Sequence, residues 1–525
     1  MFVRFRRLQY IAAAVVMSVV SGCGFVAEST SQEDQKITVG TTSAPSTLDP
    51  AASWDGSWEL YRNVYQTLLS YPAGASTPEP DAAECDFTDD SMRTYSCTLR
   101  EGLTFSDGDV LNSKAVKHSF DRILRIGVPN GPKGLLRSLD RVEAGGERIV
   151  VFHLKRPDAT FPYVLATPAM SLVDPREYPA NALRTGTKVT GSGPYVLSSY
   201  EEGREARLTR NPKYKGYADR KNDEVTIRYF QDSASLARAL RDEKIDVTYR
   251  GLAAEEVANL QERAAEDDLQ LVEGASTEVS YLIFNPKDRW AGEEAVRRAV
   301  AQLIDRNAIV HKVYKDTVDP LYSMIPSGLP GHTTGYFDAF GEPDAEAAAA
   351  TLDQAGIFEP VPLELWFTSD RYGSETAAAY TEIKRQLEES GRFEITLRSS
   401  PWKTFEAGYR KGEYPAFGRG WSPDYPDPDN FIAPFVGKRN VLGIPYASRQ
   451  IDSDLLPRTQ REPNRSAAAG DFKRVQEILA KDARLLPLWQ SRLYMAANEE
   501  ISGVERALDP SMVMRMWELR RKTSW

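Results

Sequence analysis

Strand-like and helix-like segments alternate along almost the whole chain, and this alternation limits the fold more than any other sequence feature. Runs with apolar residues at every second position, such as 35–41 and 148–154, predict strands, because alternate side chains of a strand share a face. Between them, runs such as 293–304 place apolar residues at the spacing of an amphipathic helix. Such alternation is typical of α/β proteins, and we therefore predict an α/β fold with mixed sheets.

The first 22 residues have the composition of an export signal. Three arginines precede an apolar stretch at 10–20, which is shorter than the roughly 20 residues that a membrane-spanning helix needs. Small residues then lead directly into Cys23, and this pattern resembles the lipobox of bacterial lipoproteins. We therefore predict a signal peptide at 1–22, a lipidated Cys23 and a polar tether at 23–35. An ordinary cleavable signal with an incidental cysteine is the alternative, and the export route, general or twin-arginine, stays open.

Two further cysteines, Cys85 and Cys97, remain for the body of the protein. Disulfides persist outside the cytoplasm, so we expect these two to form one structural bridge, with two free thiols as the alternative. Such a short closed loop is worth about 3 kcal/mol in the chain-entropy model. The formal net charge of −10 disfavours nucleic acid as a partner.

The segment 418–431 concentrates aromatic, acidic and proline residues more than any other part of the chain. Three prolines restrict its backbone, so few conformations remain to be frozen on binding. A stiff loop that presents Trp421, Tyr425 and three carboxylates is suited to hold a cation with an apolar body. Calcium binding is an alternative, although the acid spacing differs from that of an EF-hand. The second alternative is a surface loop without a binding role, packed by its own aromatic residues.

Five short motifs are spread along the chain. They are Thr47-Leu48-Asp49-Pro50, Leu99-Arg100-Glu101-Gly102-Leu103-Thr104-Phe105-Ser106-Asp107-Gly108, Gly191-Ser192-Gly193-Pro194-Tyr195, Asn211-Pro212-Lys213-Tyr214 and Val296-Arg297-Arg298-Ala299-Val300. In this order and spacing they resemble the family 5 extracellular solute-binding proteins, which are the peptide and nickel receptors of ABC importers. Each motif alone is weak to moderate evidence, but together they cover the chain nearly from end to end.

This resemblance implies a two-lobed periplasmic-binding-protein-like fold (class II, peptide-binding type), with an extra subdomain inserted in lobe I. The two lobes of such a receptor close over the ligand by a hinge motion. The expected division is a lobe I core at 36–55, 190–282 and 490–525, an inserted subdomain at 56–189, and lobe II at 283–489.

The resemblance also implies roles for individual residues. In peptide-binding members of the family, the aspartate at the position of Asp424 binds the α-ammonium of the ligand, and Trp421 would line the neighbouring side-chain pocket. Core packing is the alternative for Trp421. The remaining candidate ligand-binding residues are Arg419, Tyr425, Tyr446 and Trp54, with Trp58 near it. Arg419 could bind a carboxylate of the ligand, and a solvated or structural arginine is its alternative. For both tryptophans ordinary core packing is the favoured alternative.

An exported hydrolase is the rival class of protein. Ser400 and Lys403 match the Ser-x-x-Lys pattern of penicillin-interacting enzymes, but this pattern fixes only two residues and lacks its Lys-Thr-Gly partner. The four histidines are isolated and predict no zinc site. We therefore predict no enzyme and no cofactor. We expect a monomeric lipoprotein on the outer face of the bacterial cytoplasmic membrane, which delivers short peptides to an ABC permease. A nickel chelate, haem or a sugar-containing solute is the alternative ligand.

Overall fold

The computed structural model describes residues 36–522 except 53–56, 130, 265, 267, 275 and 439. The predicted signal peptide, Cys23, the tether and Trp54 lie outside the described residues. Within the described part, no helix is long and apolar enough to cross a bilayer. Two large mixed sheets, each with its own core, form two lobes, and a smaller sheet is inserted in the first lobe. The predicted α/β, two-lobed fold is confirmed.

Lobe I is built on a seven-stranded sheet with the order β12-β19-β11-β1-β10-β9-β8. Strand β1 lies inside the sheet and pairs in parallel with β10 and β11, while the other pairs are antiparallel. Its alternating side chains are buried on the core face, as the pattern of the sequence predicts. The strands are β1 (Lys36–Thr41), β8 (Tyr195–Glu201), β9 (Glu205–Arg210), β10 (Glu224–Tyr229), β11 (Val247–Thr248), β12 (Leu269–Gly274) and β19 (Leu493–Asn498).

Lobe II is built on a six-stranded sheet with the order β14-β18-β13-β17-β15-β16. Strands β15, β16 and β17 run parallel, and β13 pairs with both β17 and β18 in antiparallel orientation. This arrangement places the end of β17 beside the start of β13. The strands are β13 (Val279–Phe284), β14 (Val318–Pro320), β15 (Val361–Thr368), β16 (Phe393–Ser400), β17 (Ala416–Trp421) and β18 (Leu485–Ser491).

The subdomain inserted in lobe I contains a four-stranded antiparallel sheet with the order β4-β5-β7-β6. Its strands are β4 (Ala83–Phe87), β5 (Thr94–Leu99), β6 (Leu139–Gly145) and β7 (Ile149–Leu154). Cys85 and Cys97 face each other on β4 and β5 and form a disulfide across the two strands, with their Cα atoms 4.0 Å apart. Two small sheets complete the strands: β2 (Leu69–Ser70) with β3 (Glu79–Pro80), and β20 (Ile501–Ser502) with β21 (Arg520–Arg521).

Helices cover the sheets of both lobes. Helix α2 begins after Asn112, whose side chain accepts hydrogen bonds from the amides of Lys114 and Ala115, and it ends at Gly127 in the left-handed conformation. The helices are α1 (Ser57–Val64), α2 (Ser113–Ile126), α3 (Phe161–Leu165), α4 (Ser233–Arg241), α5 (Ala254–Arg263), α6 (Glu294–Leu303), α7 (Arg306–Lys312), α8 (Gly335–Phe340), α9 (Ala345–Gln354), α10 (Thr376–Glu389), α11 (Trp402–Lys411), α12 (Asp429–Ile432), α13 (Leu456–Thr459) and α14 (Ala469–Asp482).

The chain passes between the two large sheets at two places. It leaves the seven-stranded sheet after β12, which ends at Gly274, and enters the six-stranded sheet at Val279. It returns through Arg492, between β18 and β19. These crossings lie a few residues from the boundaries at 282/283 and 489/490, which stay predictions.

Candidate ligand-binding site

The candidate site is built on the loop that connects β17 to α12, which we call the ligand loop (422–428). One of its acids, Asp427, forms an ion pair inside lobe II. Its carboxylate accepts hydrogen bonds from Arg465 Nε at 2.6 Å and from Arg465 Nη2 at 2.9 Å. Both side chains are buried. Asp427 also accepts a hydrogen bond from the amide of Asp429 at 2.8 Å, so it fixes the start of α12. This carboxylate therefore holds the loop in place.

Asn430 in α12 positions two side chains, those of Trp421 and Asp424, that line a cavity. Its Oδ1 accepts hydrogen bonds from the indole Nε1 of Trp421 at 3.2 Å and from the amide of Asp424 at 2.9 Å. Its Nδ2 donates to Asp424 Oδ2 at 2.9 Å. One amide side chain thus sets the position of both the tryptophan and the aspartate, which restricts their rotamers before any ligand arrives.

Asp424 is a partly buried carboxylate at the cavity wall. Among the described residues it makes no salt bridge, and Asn430 is its hydrogen-bond donor. Burial raises the pKa of Asp424 from 3.8 to about 6, although the hydrogen bond from Asn430 and the charges of Arg137 and Arg419 act in the opposite direction. A cation that reaches this oxygen would compensate the desolvation that the protein alone leaves uncompensated.

Asp429 provides a second carboxylate in the same place. The residue is only 2% exposed, its Oδ1 has no hydrogen-bond partner among the described residues, and its Oδ2 lies 3.5 Å from the hydroxyl of Tyr425. Burial raises the pKa of Asp429 to about 6, against the opposing charge of Arg137. Two neighbouring acids that are both destabilised as anions make this region strongly attractive to positive charge.

A cavity of about 150 Å³ lies between lobe II and the inserted subdomain. Lobe II contributes Trp421, Asp424, Tyr425, Asp429, Asn430, Pro434, Val441 and Gln460, and the inserted subdomain contributes Gly134, Leu135, Arg137, Arg156, Asp158, Thr160 and Val164. The wall therefore combines apolar side chains with charges of both signs. This composition is the usual one for a small-molecule site, in which few polar groups fix the orientation of the ligand.

The two sides of the cavity are in direct contact. The amide of Ala159 donates to the carbonyl oxygen of Gln460 at 2.9 Å, and Arg156 Nη1 donates to Gln460 Oε1 at 3.2 Å. Tyr425 at the tip of the ligand loop is 3% exposed and packs near Tyr163, with 6.4 Å between the ring centroids. Tyr425 belongs to the apolar cluster of lobe I rather than to that of lobe II. Lobe II and the inserted subdomain therefore touch beside the cavity, which is a closed arrangement of the two lobes.

The structure brings Asp424, Trp421 and Tyr425 together at the cavity, but not Arg419 or Tyr446. Arg419 lies behind Trp421, where Nη1 donates to the hydroxyl of Tyr409 at 2.8 Å. Tyr446 is buried in lobe II beneath Arg484, whose guanidinium lies 4.7 Å from its ring centroid, because a bridge to Gly437 turns it into the core.

Trp58, the tryptophan next to the undescribed Trp54, lies in the core of lobe I, at 7% exposure. This placement agrees with the core alternative and takes Trp58 away from the cavity lining.

Sequence reasoning missed the residues of the opposite wall. Arg137, Arg156 and Asp158 stand more than 250 positions before Asp424, and no local motif marks them. Only the tertiary fold places them at the cavity. Asn430 was within reach of prediction, because it stands in the aromatic and acidic segment that the sequence singles out, and an asparagine six positions after an aspartate can return to bond it.

In the described part of the chain, one group of acids has the geometry to hold a metal ion, and it is not in the ligand loop. It consists of Asp107, Asp109 and Asp174 in lobe I. Arg176 already forms ion pairs with Asp109 and Asp174. The acids of the ligand loop are instead divided between Arg465 and the cavity, which argues against calcium binding there.

Comparison with known proteins agrees with this architecture. The family model described as bacterial extracellular solute-binding proteins, family 5 Middle, matches residues 77–443. The chain belongs to this family. Family 5 proteins are solute-binding receptors outside the cytoplasm and not a family of enzymes.

Curated relatives match over most of their length. The probable D,D-dipeptide-binding periplasmic protein DdpA of Escherichia coli is 27% identical over 483 residues, which cover 89% of this chain and 90% of the relative. Di/tripeptide-binding protein 2 of Pseudomonas aeruginosa is 26% identical over 511 residues, which cover 91% of this chain and 94% of the relative.

Solved structures share the fold. The Helicobacter pylori periplasmic binding protein DppA in complex with the peptide STSA superposes with a TM-score of 0.77 at 22% identity, over 93% of this chain and 98% of that chain. HbpA2 of Haemophilus parasuis superposes with a TM-score of 0.79 at 20% identity, over 93% of this chain and 100% of HbpA2. These superpositions show that the chain shares the overall fold of these two proteins.

Proposed function

We propose that this family 5 protein is a lipid-anchored receptor that captures short peptides between its lobes and delivers them to an ABC importer. The observation that carries the proposal is the state of Asp424. It is a partly buried carboxylate at a cavity wall, positioned by Asn430, with no salt bridge among the described residues. The α-ammonium of a peptide has the charge, the size and the three donors that this oxygen lacks.

In the closed form the carboxylate of Asp424 is already partly desolvated. A ligand ammonium must lose its water on binding, but only part of the desolvation penalty of the carboxylate is still to be added. A charge-assisted hydrogen bond at such a site is stronger than a neutral one. Trp421 beside it supplies an apolar surface for the first side chain of the ligand. The peptide-binding relatives support this choice of ligand.

Closure explains how the receptor would retain its cargo. Two chain crossings connect the lobes, so lobe II can rotate as a unit about them. The contacts of Gln460 and Tyr425 with the inserted subdomain hold the closed form. A ligand that contacts both sides shifts the equilibrium towards closure by its difference in affinity for the two states. The permease would then recognise the closed form.

Calorimetry with blocked and free peptides tests the ligand assignment. We would use the exported protein with Cys23→Ser, which cannot be lipidated, and titrate it with Ala-Ala, tri-alanine and N-acetyl-Ala-Ala. We expect the acetylated peptide to bind about 30-fold or more weakly, because a lost charge-assisted bond costs about 2 kcal/mol or more. Equal affinity of free and acetylated peptides would refute the role of Asp424. Binding of a nickel chelate or haem without any peptide response would replace the ligand.

A second experiment tests the anchor. Mass spectrometry of the N-terminal peptide from the native membrane fraction should show a lipid on Cys23 and no residue before it. The Cys23→Ser protein should move to the soluble fraction. An unmodified Cys23 in the membrane fraction would contradict the lipoprotein prediction while leaving the peptide proposal intact.

A further inference from the structure

Three aspartates of lobe I form a cluster away from the ligand cavity, and the proposed function gives them no role. They are Asp107, Asp109 and Asp174, and one carboxylate oxygen of each lies within 4.8 Å of the others. Among the described residues that line the cavity of Asp424, none belongs to this cluster. Asp107 is exposed, Asp109 is half-buried and Asp174 is buried, so the cluster runs from the surface into lobe I.

The backbone fixes Asp107 and Asp109 in a tight turn between β5 and α2. Gly108 between them adopts a φ of +109°, which favours glycine, and its amide donates to the carbonyl oxygen of Phe105 at 3.0 Å. The amide of Asp109 donates to Asp107 Oδ1 at 3.0 Å, and the amide of Phe105 donates to the carbonyl oxygen of Asp109 at 2.8 Å. Both carboxylates therefore belong to one short turn whose backbone is fixed without a ligand.

Asp174 reaches this turn from a different part of the chain. The amide of the preceding Val173 donates to Ser119 Oγ of α2 at 3.0 Å. The carbonyl oxygen of Asp174 accepts hydrogen bonds from the amides of Glu177 at 3.1 Å and Tyr178 at 2.9 Å. These bonds hold the main chain on both sides of Asp174, so its carboxylate is positioned by the fold of lobe I.

One oxygen of the buried Asp174 carboxylate is unsatisfied. Its Oδ1 accepts a hydrogen bond from the amide of Arg176 at 2.9 Å. Its Oδ2 has no hydrogen-bond partner among the described residues, although the side chain is only 2% exposed. Burial raises the pKa of Asp174 and the charge of Asp107 raises it further, whereas the amide of Arg176 acts in the opposite direction. A desolvated carboxylate oxygen without a donor is costly, and a cation would remove this cost.

Arg176 covers the cluster from the outside but satisfies it only in part. Its guanidinium forms an ion pair with Asp109, while its Nε lies 3.9 Å from Asp174 Oδ1, which is beyond hydrogen-bond distance. The three carboxylates and this guanidinium carry a formal charge of −2 between them. The Arg176 side chain is 66% exposed, so it can move into solvent at little cost. A divalent ion in its place would bring the cluster closer to neutrality.

We propose that Asp107, Asp109 and Asp174 bind a calcium ion, which takes the place of the Arg176 guanidinium. Carboxylate oxygens are the ligands of hard cations, and the cluster offers no nitrogen or sulfur for zinc. Oxygens on opposite sides of a calcium ion are about 5 Å apart at a bond length of about 2.4 Å, which matches the span of 4.8 Å. The exposed side of Asp107 leaves room for the waters that complete the shell. Magnesium demands shorter bonds and a stricter octahedron.

The ion would act on the fold of lobe I, and the inference goes beyond the proposed function because it does not depend on the captured solute. The turn already contacts other parts of lobe I: the amide of Ser106 donates to the carbonyl oxygen of Gly191 at 2.8 Å, and Lys213 Nζ donates to the carbonyl oxygen of Ser106 at 3.2 Å. A calcium ion between Asp107 and Asp174 would tie this junction together. Calcium sites of extracellular modules have Kd values of about 10⁻⁴–10⁻³ M, and we expect this range here.

Calorimetry with CaCl2 tests the site on the Cys23→Ser protein, after EDTA treatment and removal of the chelator by dialysis. We expect one ion per chain, and at least about tenfold weaker binding of MgCl2 at equal ionic strength. Asp174→Asn should weaken calcium binding by about tenfold or more, because it removes the charge of the buried ligand. Asp140→Asn, which changes an exposed aspartate on β6, is the matched control and should bind calcium like the parent.

Arg176→Gln should act in the opposite direction. It removes the competing guanidinium, so calcium should bind about three- to tenfold more tightly, which a misfolded variant would not do. Thermal unfolding gives a second readout. Calcium at about 10 mM should raise the melting temperature of the parent by about 1–3 °C and leave that of Asp174→Asn unchanged. In EDTA this variant should melt no lower than the parent, because the buried charge is gone.

Two results would overturn the site: no binding heat and no thermal shift up to about 10 mM CaCl2, or equal calcium affinity of the parent and Asp174→Asn. Tighter binding of MgCl2 than of CaCl2 would overturn the choice of calcium. Neither readout involves a peptide, so the proposed function stands or falls separately.

Discussion

The substitution Asp424→Asn distinguishes two effects of the buried charge. In the empty receptor the charge lowers the stability of the fold, and in the complex it raises the affinity for the ligand. Asparagine has nearly the same shape, and its Oδ1 can still accept the hydrogen bond that Asn430 Nδ2 donates to Asp424 Oδ2. The change therefore removes the charge and leaves the positioning contact. The empty protein and the complex should respond in opposite directions.

The empty protein should become more stable. An acid whose folded-state pKa is raised from 3.8 to about 6 binds its proton more tightly when folded, so its contribution to stability falls as the pH rises from about 4 to about 6. Two pKa units correspond to about 3 kcal/mol, which is an upper limit because Asp424 keeps some contact with water. We expect about 1–3 kcal/mol at pH 7. For a chain of this length this corresponds to a rise in melting temperature of about 1–3 °C.

The complex should become weaker. Removing one partner of a hydrogen-bonded charge pair costs about 2–4 kcal/mol, which is about 30- to 800-fold in Kd for Ala-Ala. Calorimetry measures the affinity, and thermal unfolding without ligand measures the stability. Asp353→Asn, which changes a half-exposed aspartate paired with Arg392, controls for the chemistry of the substitution. A variant that binds Ala-Ala like the parent and melts at or below the parent temperature would refute the reasoning.

Three further predictions concern the pH dependence of binding, the role of Asn430 and the disulfide. Affinity for Ala-Ala should fall about tenfold between pH 7 and pH 5, because a carboxyl of Asp424 with a pKa of about 6 loses about nine-tenths of its charge; calorimetry in matched buffers would show a flat profile if Asp424 were uninvolved. Asn430→Ala should weaken binding by about 1–2 kcal/mol, since it releases Trp421 and Asp424 together, and an unchanged Kd would exclude this positioning role. Replacing Cys85 and Cys97 by serine should destabilise the inserted subdomain by about 2–3 kcal/mol in urea unfolding without changing Kd, and a lost affinity would contradict a purely structural bridge.

The sequence could predict the fold class and one side of the site. Alternating patterns such as that of β1 are local, and a chain carries them whatever its tertiary structure. Asp424 and Trp421 stand in one short segment with a recognisable order of residues, so their neighbourhood could be recognised. Their contact through Asn430 depends on the turn between β17 and α12, which the prolines make stiff but do not specify.

The opposite wall could not be predicted, because it is a property of the closed arrangement. Arg137 and Arg156 are ordinary exposed arginines within the inserted subdomain, and the approach of lobe II adds Asp424 and Asp429 to the Asp158 that already lies beside them. Arg419 is the opposite case, a residue that the sequence predicts at the site and that the structure places outside the cavity lining. It stands two positions before Trp421 in a strand, so it shares a face with it by periodicity, yet the hydroxyl of Tyr409 and the carbonyl of Val441 draw its guanidinium away from the cavity.

Tyr425 gives this receptor a means of changing all its affinities together. Its ring is covered by the apolar cluster of lobe I when the lobes meet, and it loses that cover when they part. A smaller or more polar side chain at this position would favour the parted state, and every ligand would then spend more of its binding energy on bringing the lobes together. Selection at this one position could in this way adjust the affinity of the receptor through the cost of bringing the lobes together.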